Sequence, residues 1–269
     1  MSRIDETLHD LHTLDEIAAR PSALASLDAR TKILATLAFI VVVVSFDRYS
    51  VLALLPLALF PVALAALGDV PFGLIARKLL LASPFALMIA IFNPLLDRAP
   101  LIELFGIGIA GGWVSFASIL LRFVLTVAAA LVLIATTGFH NVCAGLTQLG
   151  VPRVFTAQLL FLRRYAAVLA GEAARMSAAR ELRAGGRRLA FSVYAALLGH
   201  LLLRALERAQ RIHLAMVSRG FDGELHSLRP RRWQLADVIF LGGCGAYFVL
   251  ARRIDLPRML GQTLLGLTA

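Results

Sequence analysis

WVSFASILLRFVLTVAAALVLIATT, residues 113–137, carries a single charge, Arg122, in a run longer than the ~20 predominantly apolar residues that cross a bilayer as a helix. Four further apolar runs, 33–46, 51–67, 79–96 and 235–250, flank it. Four consecutive valines, Val41 to Val44, would suit a strand, but an open strand edge in lipid leaves its backbone groups unpaired, so the run reads as helix. Pro56, Pro61, Pro84 and Pro94 fall inside or at the ends of these runs and predict kinks. The composition agrees: 59% of the 269 residues are hydrophobic and only 16% charged, against roughly 25% charged in a soluble domain. That excludes a disordered chain, and Cys143 and Cys244 alone cannot build a disulfide scaffold. The expected fold class is all-α: a polytopic membrane helical bundle of about five transmembrane helices. A glycine cluster, Gly106, Gly108, Gly111 and Gly112, predicts a turn or re-entrant piece ahead of the fourth span.

The charge is placed unevenly. Residues 139–232 hold 15 Lys+Arg against 5 Asp+Glu, the whole net charge of +10, while the remainder is neutral. A membrane protein collects Lys and Arg on its cytoplasmic side, so this block predicts a cytoplasmic domain. Four domains follow: a cytoplasmic amphipathic segment (1–29), transmembrane helices one to four (30–138), the basic block (139–232), and a last transmembrane helix with its tail (233–269). Counting spans backwards places the amino terminus and Arg77-Lys78 inside as well. Arg252, Arg253 and Arg258 then fall outside, against the rule, unless the tail returns. Residues 1–29 lack the basic, apolar and small-residue regions of a signal peptide; leucines at 8, 11 and 14 with Ile17 suit one face of a surface helix.

Inside the basic block, 142–149 reads as a helical turn closed by Gly150 and Pro152. A long helix over 153–184 is stopped by Gly185-Gly186, and a second over 192–218 by Gly220. The second carries Leu198, Leu202, Ala205, Ala209, Ile212 and Met216 as an apolar stripe beside Arg204, Arg208 and Arg211, with Glu207 four residues before Arg211. Each helix ends at an arginine, Arg183 and Arg219. A helix C-terminus favours a cation by only some 0.3–1 kcal/mol. The same ending on two long amphipathic helices points further, to planar guanidinium tips suited to an acidic groove of a soluble partner.

Residues 215–223, Ala-Met-Val-Ser-Arg-Gly-Phe-Asp-Gly, resemble the second arginine signature of the transmembrane T component of energy-coupling factor transporters. Residues 172–184 resemble the first, with Leu182-Arg183-Ala184 in its Ala-Arg-Gly slot, and Leu27-Asp28-Ala29-Arg30-Thr31-Lys32 is similar to the Asp-Pro-Arg-Thr-Lys that opens these proteins. Ala184 stands where the family has glycine and Ala29 where it has proline, and Arg180 competes with Arg183 for the tip. The wording Arg-Glu-Leu-Arg and Arg-Gly-Phe-Asp-Gly is most similar to CbiQ, the T component of cobalt importers. The resemblance implies an inner-membrane scaffold, not itself an enzyme, that links two ABC ATPase subunits to a substrate-binding membrane subunit of CbiM type, with a small accessory membrane subunit as a further partner. It implies coupling roles for Arg183 and Arg219 with their neighbours Leu182, Ala184, Ser218 and Gly220, and secondary ones for Arg180, Asp222 and Arg211. Cobalt is the implied cargo, nickel or a vitamin the alternative, and ATP with Mg belongs to the partners.

What is missing bears on function independently. The only lysines, Lys32 and Lys78, follow Thr31 and Arg77, so no Gly-x4-Gly-Lys-Ser/Thr phosphate cradle exists and ATP energy must come from another chain. His9 and His12 share a helix face near an acidic terminus and read as solvated surface; His140, His200, His213 and His226 are scattered among cations, and no tetrahedral Cys/His spacing occurs. No metal site is therefore expected in this chain. Arg122 is the clearest intramembrane charge, open between pairing inside the bundle and a partner interface; Glu103 reads as interfacial. Phe161 and Tyr165 fit a buried helix face better than nucleic-acid stacking, and no nucleic-acid partner is expected. From another class, the basic block could make the chain a scaffold that binds the anionic lipid of the bilayer.

Overall fold

The computed structural model describes residues 17–20, 22–47, 49–96, 100–104, 107–185, 191–221 and 233–253. They divide into two compact units, one from 17–142 and 233–253, the other from 143–185 and 191–221.

In the first unit, helix α1 (Ala29–Val44) starts where the Asp28 carboxylate accepts the Arg30 backbone N–H at 3.0 Å. The next apolar run is broken as its prolines predict. Helix α2 (Val51–Leu54) gives way to a 3-10 turn at Pro56–Ala58, since Pro56 has no N–H for the helical ladder, and α3 (Leu59–Leu67) follows. Helix α4 (Phe72–Ala90) begins a full two turns before residue 79, taking Arg77 and Lys78 into its length, and runs on into α5 (Phe92–Leu96). Helices α6 (Gly111–Thr137) and α10 (Leu235–Arg253) complete the bundle. Three segments are long and apolar enough to cross a membrane, Phe72–Pro94, Gly111–Thr137 and Leu235–Arg253, and Val51–Leu67 is a shorter apolar stretch. The class is the all-α membrane bundle that the apolar runs predict.

Where the glycine cluster predicts a turn or re-entrant piece, a pair of strands is found, with Gly106 outside the described residues. Strands β1 (Pro100–Leu104) and β2 (Ile107–Ala110) pair antiparallel, with Glu103 opposite Gly108. The strands carry isoleucine, a β-favouring residue, at 102, 107 and 109, which the glycine count alone concealed.

Helix α6 is the axis of this unit, packed on α1 through α5. Its buried Ser115, Ser118, Ala128, Ala129 and Ala135 let neighbours come close. The tightest approach is at Gly68, where a Cβ would lie 2.3 Å from the Thr136 Cγ2, so the end of α3 reaches α6 only because that side chain is absent. Phe39, Phe60 and Phe248 form an aromatic cluster with centroids 4.6–5.8 Å apart, joining α1, α3 and α10.

The first and last helices run side by side and parallel, fastened at both ends. At their starts, the Asp237 Oδ1 accepts the Asp28 N–H at 2.7 Å and the Thr31 hydroxyl at 3.2 Å, while its Oδ2 accepts the Gln234 N–H at 2.9 Å. Asp237 is 1% exposed, Asp28 3%. Lys32, also buried, donates to the Thr136 carbonyl at 3.3 Å. At their far ends, Arg122 from α6 donates Nη2 to the Phe46 carbonyl at 2.8 Å and the Asp47 carbonyl at 2.6 Å. Arg252 donates to the Ser45 carbonyl at 3.4 Å and lies 5.3 Å from the Phe46 ring centroid. Arg122 thus pairs inside the bundle, answering the carbonyls and negative dipole at the end of α1. The positive charge of Arg252 has the same use.

Arg122→Leu leaves those carbonyls without their donor and is expected to cost about 2 kcal/mol. Arg122→Lys should recover only part, because an ammonium cannot fork across two carbonyls. Thermal unfolding in detergent measures both; equal midpoints for wild type and Leu would remove the capping role.

Candidate functional site

The second unit is built on a helical pair. Helix α7 (Phe139–Gln148) ends at Gly150, whose φ of 101° turns the chain, and the Thr147 hydroxyl meets that of Thr156 at 2.8 Å. Helix α8 (Arg153–Ala184) and helix α9 (Phe191–Val217) then pack against each other. Glu172 on α8 holds them together: it pairs with Arg175 at 2.8 Å and with Arg204 across on α9. Its hydrogen bonds to Arg175 and then Arg204 keep its carboxyl below the ordinary glutamate range.

Both helices stop on glycine, in the way the sequence predicts. Gly185 has φ 55° and donates to the Leu182 carbonyl at 3.4 Å, leaving Arg183 in the last turn. At the other stop, Gly220 (φ 78°) donates to the Val217 carbonyl at 2.9 Å and Phe221 to the Met216 carbonyl at 3.0 Å, the paired bonds of a Schellman ending. Ser218 tightens that turn by donating its hydroxyl to the Leu214 carbonyl at 2.9 Å. Phe221 then folds back edge-on to Phe161, its centroid 6.4 Å away.

The consequence is two exposed tips. Arg183, Arg219, Ser218 and Gly220 are exposed, Ala184 is half-buried, and Leu182 is 84% exposed, unusual for a leucine in a helix. The side chains of Arg183 and Arg219 form no ion pair or hydrogen bond among the described residues. Arg180 is exposed one turn back on α8. Arg211 belongs elsewhere, beside Glu207 at 3.9 Å on the flank of α9. Asp222, His9, His12 and His226 lie outside the described residues. Among the described residues no three His, Cys, Asp or Glu side chains come together as a cation site would need.

Sequence reasoning missed the junction of Asp28, Thr31, Lys32 and Asp237. Its one readable signal is Asp237 itself, an acid in the first turn of an otherwise apolar span. It also missed the groove between α8 and α9, because an apolar stripe gives no sign of whether its partner fills it.

Comparison with known proteins places these features. The family model described as cobalt transport protein, CbiQ, matches residues 21–229, which take in the Asp28–Lys32 motif and both arginine tips. An uncharacterized protein of Methanocaldococcus jannaschii is 32% identical over 84 residues, 30% of this chain and 31% of that protein. The match therefore spans about a third of that relative's length.

Proposed function

The chain belongs to the CbiQ family of cobalt transport proteins, and from that premise we propose that it is the energy-coupling T component of an ABC-type importer of cobalt. In this reading it sits in the inner membrane, with residues 139–232 and the amino terminus on the cytoplasmic side. Two ATPase subunits dock on the tips of α8 and α9, and a substrate-binding membrane subunit receives the motion. Cobalt is cargo handled by that subunit; ATP and Mg are handled by the ATPases. This chain contributes a rigid link.

The observation that carries the reading is the exposed arginine, in no ion pair among the described residues, at the end of each of two long, mutually packed helices. A guanidinium at a helix C-terminus already has its stem ordered, so docking loses little rotamer freedom. Two tips on one helical pair, bridged by Glu172, can transmit displacement as a unit because closely packed helices shift rather than compress.

The test is recovery of the protein from its native membranes in mild detergent, with ATPase activity and cobalt uptake followed together. Co-purifying ATPase subunits, and cobalt uptake that fails in cells lacking this chain, are the expected results. Cobalt uptake by the purified chain reconstituted alone would overturn the coupling role.

A further inference from the structure

Membrane-crossing α6 ends at Thr137 and α7 begins at Phe139, so a single residue, Gly138, joins them. Its φ of 77° is the left-handed conformation that turns the chain without a linker. The helical hydrogen bonds run up to it from both sides. The Gly138 N–H donates to the Ile134 carbonyl at 2.9 Å, and the Gly138 carbonyl accepts the Val142 N–H at 3.0 Å. The Asn141 side chain closes the corner, its Nδ2 donating to the Thr137 carbonyl at 2.8 Å, one of the acceptors that a helix end leaves free.

Three consecutive residues at this corner are each held by a different element. Lys32 of α1 donates to the Thr136 carbonyl at 3.3 Å, and Asn141 of α7 donates to the Thr137 carbonyl. Ala18 lies so near Gly138 that a Cβ there would be 3.3 Å from its own. The backbone of Gly68, at the end of α3, lies against the Thr136 side chain as well. The corner is therefore a braced part of the membrane bundle. At the other end of α7, the Thr147 hydroxyl lies 3.0 Å from the Cys143 carbonyl and 2.8 Å from the Thr156 hydroxyl of α8. Helix α7 has ten residues, about 15 Å of length, and the division between the two units falls inside it, after Val142. A helix bonded at its start to α6 and at its finish to α8 passes displacement on as a rigid element.

We propose that Gly138 and Asn141 are positioning residues for transport: displacement of α8 reaches α6 through this braced corner, and the stiffness of the corner sets how much of it arrives. The inference rests on the coupling reading, because it needs ATPase subunits that move α8. A slack corner would let α7 swing while α6 stayed still, and ATP would be hydrolysed without uptake. Asn141 is the member that can be adjusted. Its bond reaches back four residues, a reach that a serine hydroxyl also has in a helix, so serine there restores the donor that alanine removes.

The test uses the full complex recovered from native membranes and follows recovery of ATPase subunits, ATP turnover and cobalt uptake. Two glycines inserted after Gly138 add slack without touching either arginine tip. Recovery and ATP turnover should stay at the wild-type level while uptake falls roughly tenfold, within the range of a coupling free energy. Asn141→Ala should lower uptake about threefold at unchanged recovery, the effect of one hydrogen bond, and Asn141→Ser should return it to near the wild-type level. Uptake that the insertion leaves unchanged overturns the proposal. Recovery that falls in step with uptake overturns it too, since the corner then serves docking or folding, and so does Asn141→Ser that transports no better than Asn141→Ala. Should the insertion prevent folding, the two Asn141 variants decide by the same readouts. Failure of wild type to recover ATPase subunits removes the coupling reading and this inference with it, whereas the other failures remove the inference alone.

Discussion

Arg183→Glu combined with Arg219→Glu is expected to abolish recovery of ATPase subunits and reduce cobalt uptake to background, with membrane insertion and the unfolding midpoint nearly unchanged. The separation of effects follows from where the two residues sit. Both side chains are exposed and make no ion pair or hydrogen bond among the described residues, so the substitutions remove no side-chain bond there. Placing an acid at a helix C-terminus costs roughly 0.3–1 kcal/mol for each helix through the macrodipole. In an acidic docking groove the same change removes a charge-assisted bond and adds repulsion, about 2–5 kcal/mol at each tip. Two tips together then lower affinity by at least a thousandfold. Arg180→Glu, on the same helix one turn back, serves as the comparison and should retain partner binding. Undiminished recovery by the double variant would reduce both arginines to helix caps; loss in Arg180→Glu alone would move the α8 tip to that residue.

Asp237→Ala is expected to lower stability by about 3–5 kcal/mol, the usual consequence of removing one member of a buried charged cluster. Three donors lose their acceptor at once: the backbone N–H of Asp28, the hydroxyl of Thr31 and the backbone N–H of Gln234. With Asp237 1% exposed, water cannot replace it without opening the packing of α10 on α1. The midpoint in detergent should fall by roughly 10 °C for a chain of this size. Asp237→Asn keeps one acceptor oxygen but turns an NH2 toward a donor, and should lie between. A midpoint for the alanine variant within about 1 °C of wild type would show that the junction contributes nothing to stability.

The membrane-bundle class was legible because residues 113–137 satisfy a length and polarity rule that needs no tertiary information, as do Phe72–Pro94 and Leu235–Arg253, while α1 and Val51–Leu67 fall short of it. The two tips were legible for a related reason: glycine stops and the arginines before them are local signals, and α8 and α9 end where those signals fall. The hairpin before α6 was not, since glycine marks a turn without saying what flanks it. Arg122 was visible as a charge, but its partners are carbonyls at the end of α1, more than seventy residues earlier, and backbone acceptors leave no mark in side-chain chemistry. Asp237 and Asp28 are separated by 209 positions, and each alone reads as an ordinary helix-start acid.

That long separation also bears on how the protein is made. Ribosomes add about 5–20 residues per second, so roughly 10–40 seconds pass between the synthesis of Asp28 and that of Asp237. Through that interval α1 has neither the acid that receives Asp28 and Thr31 nor the Arg252 that joins Arg122 at its far end. Until the last helix emerges, the Asp28 N–H and the Thr31 hydroxyl are two donors without their acceptor, and its arrival closes the bundle at both ends of α1.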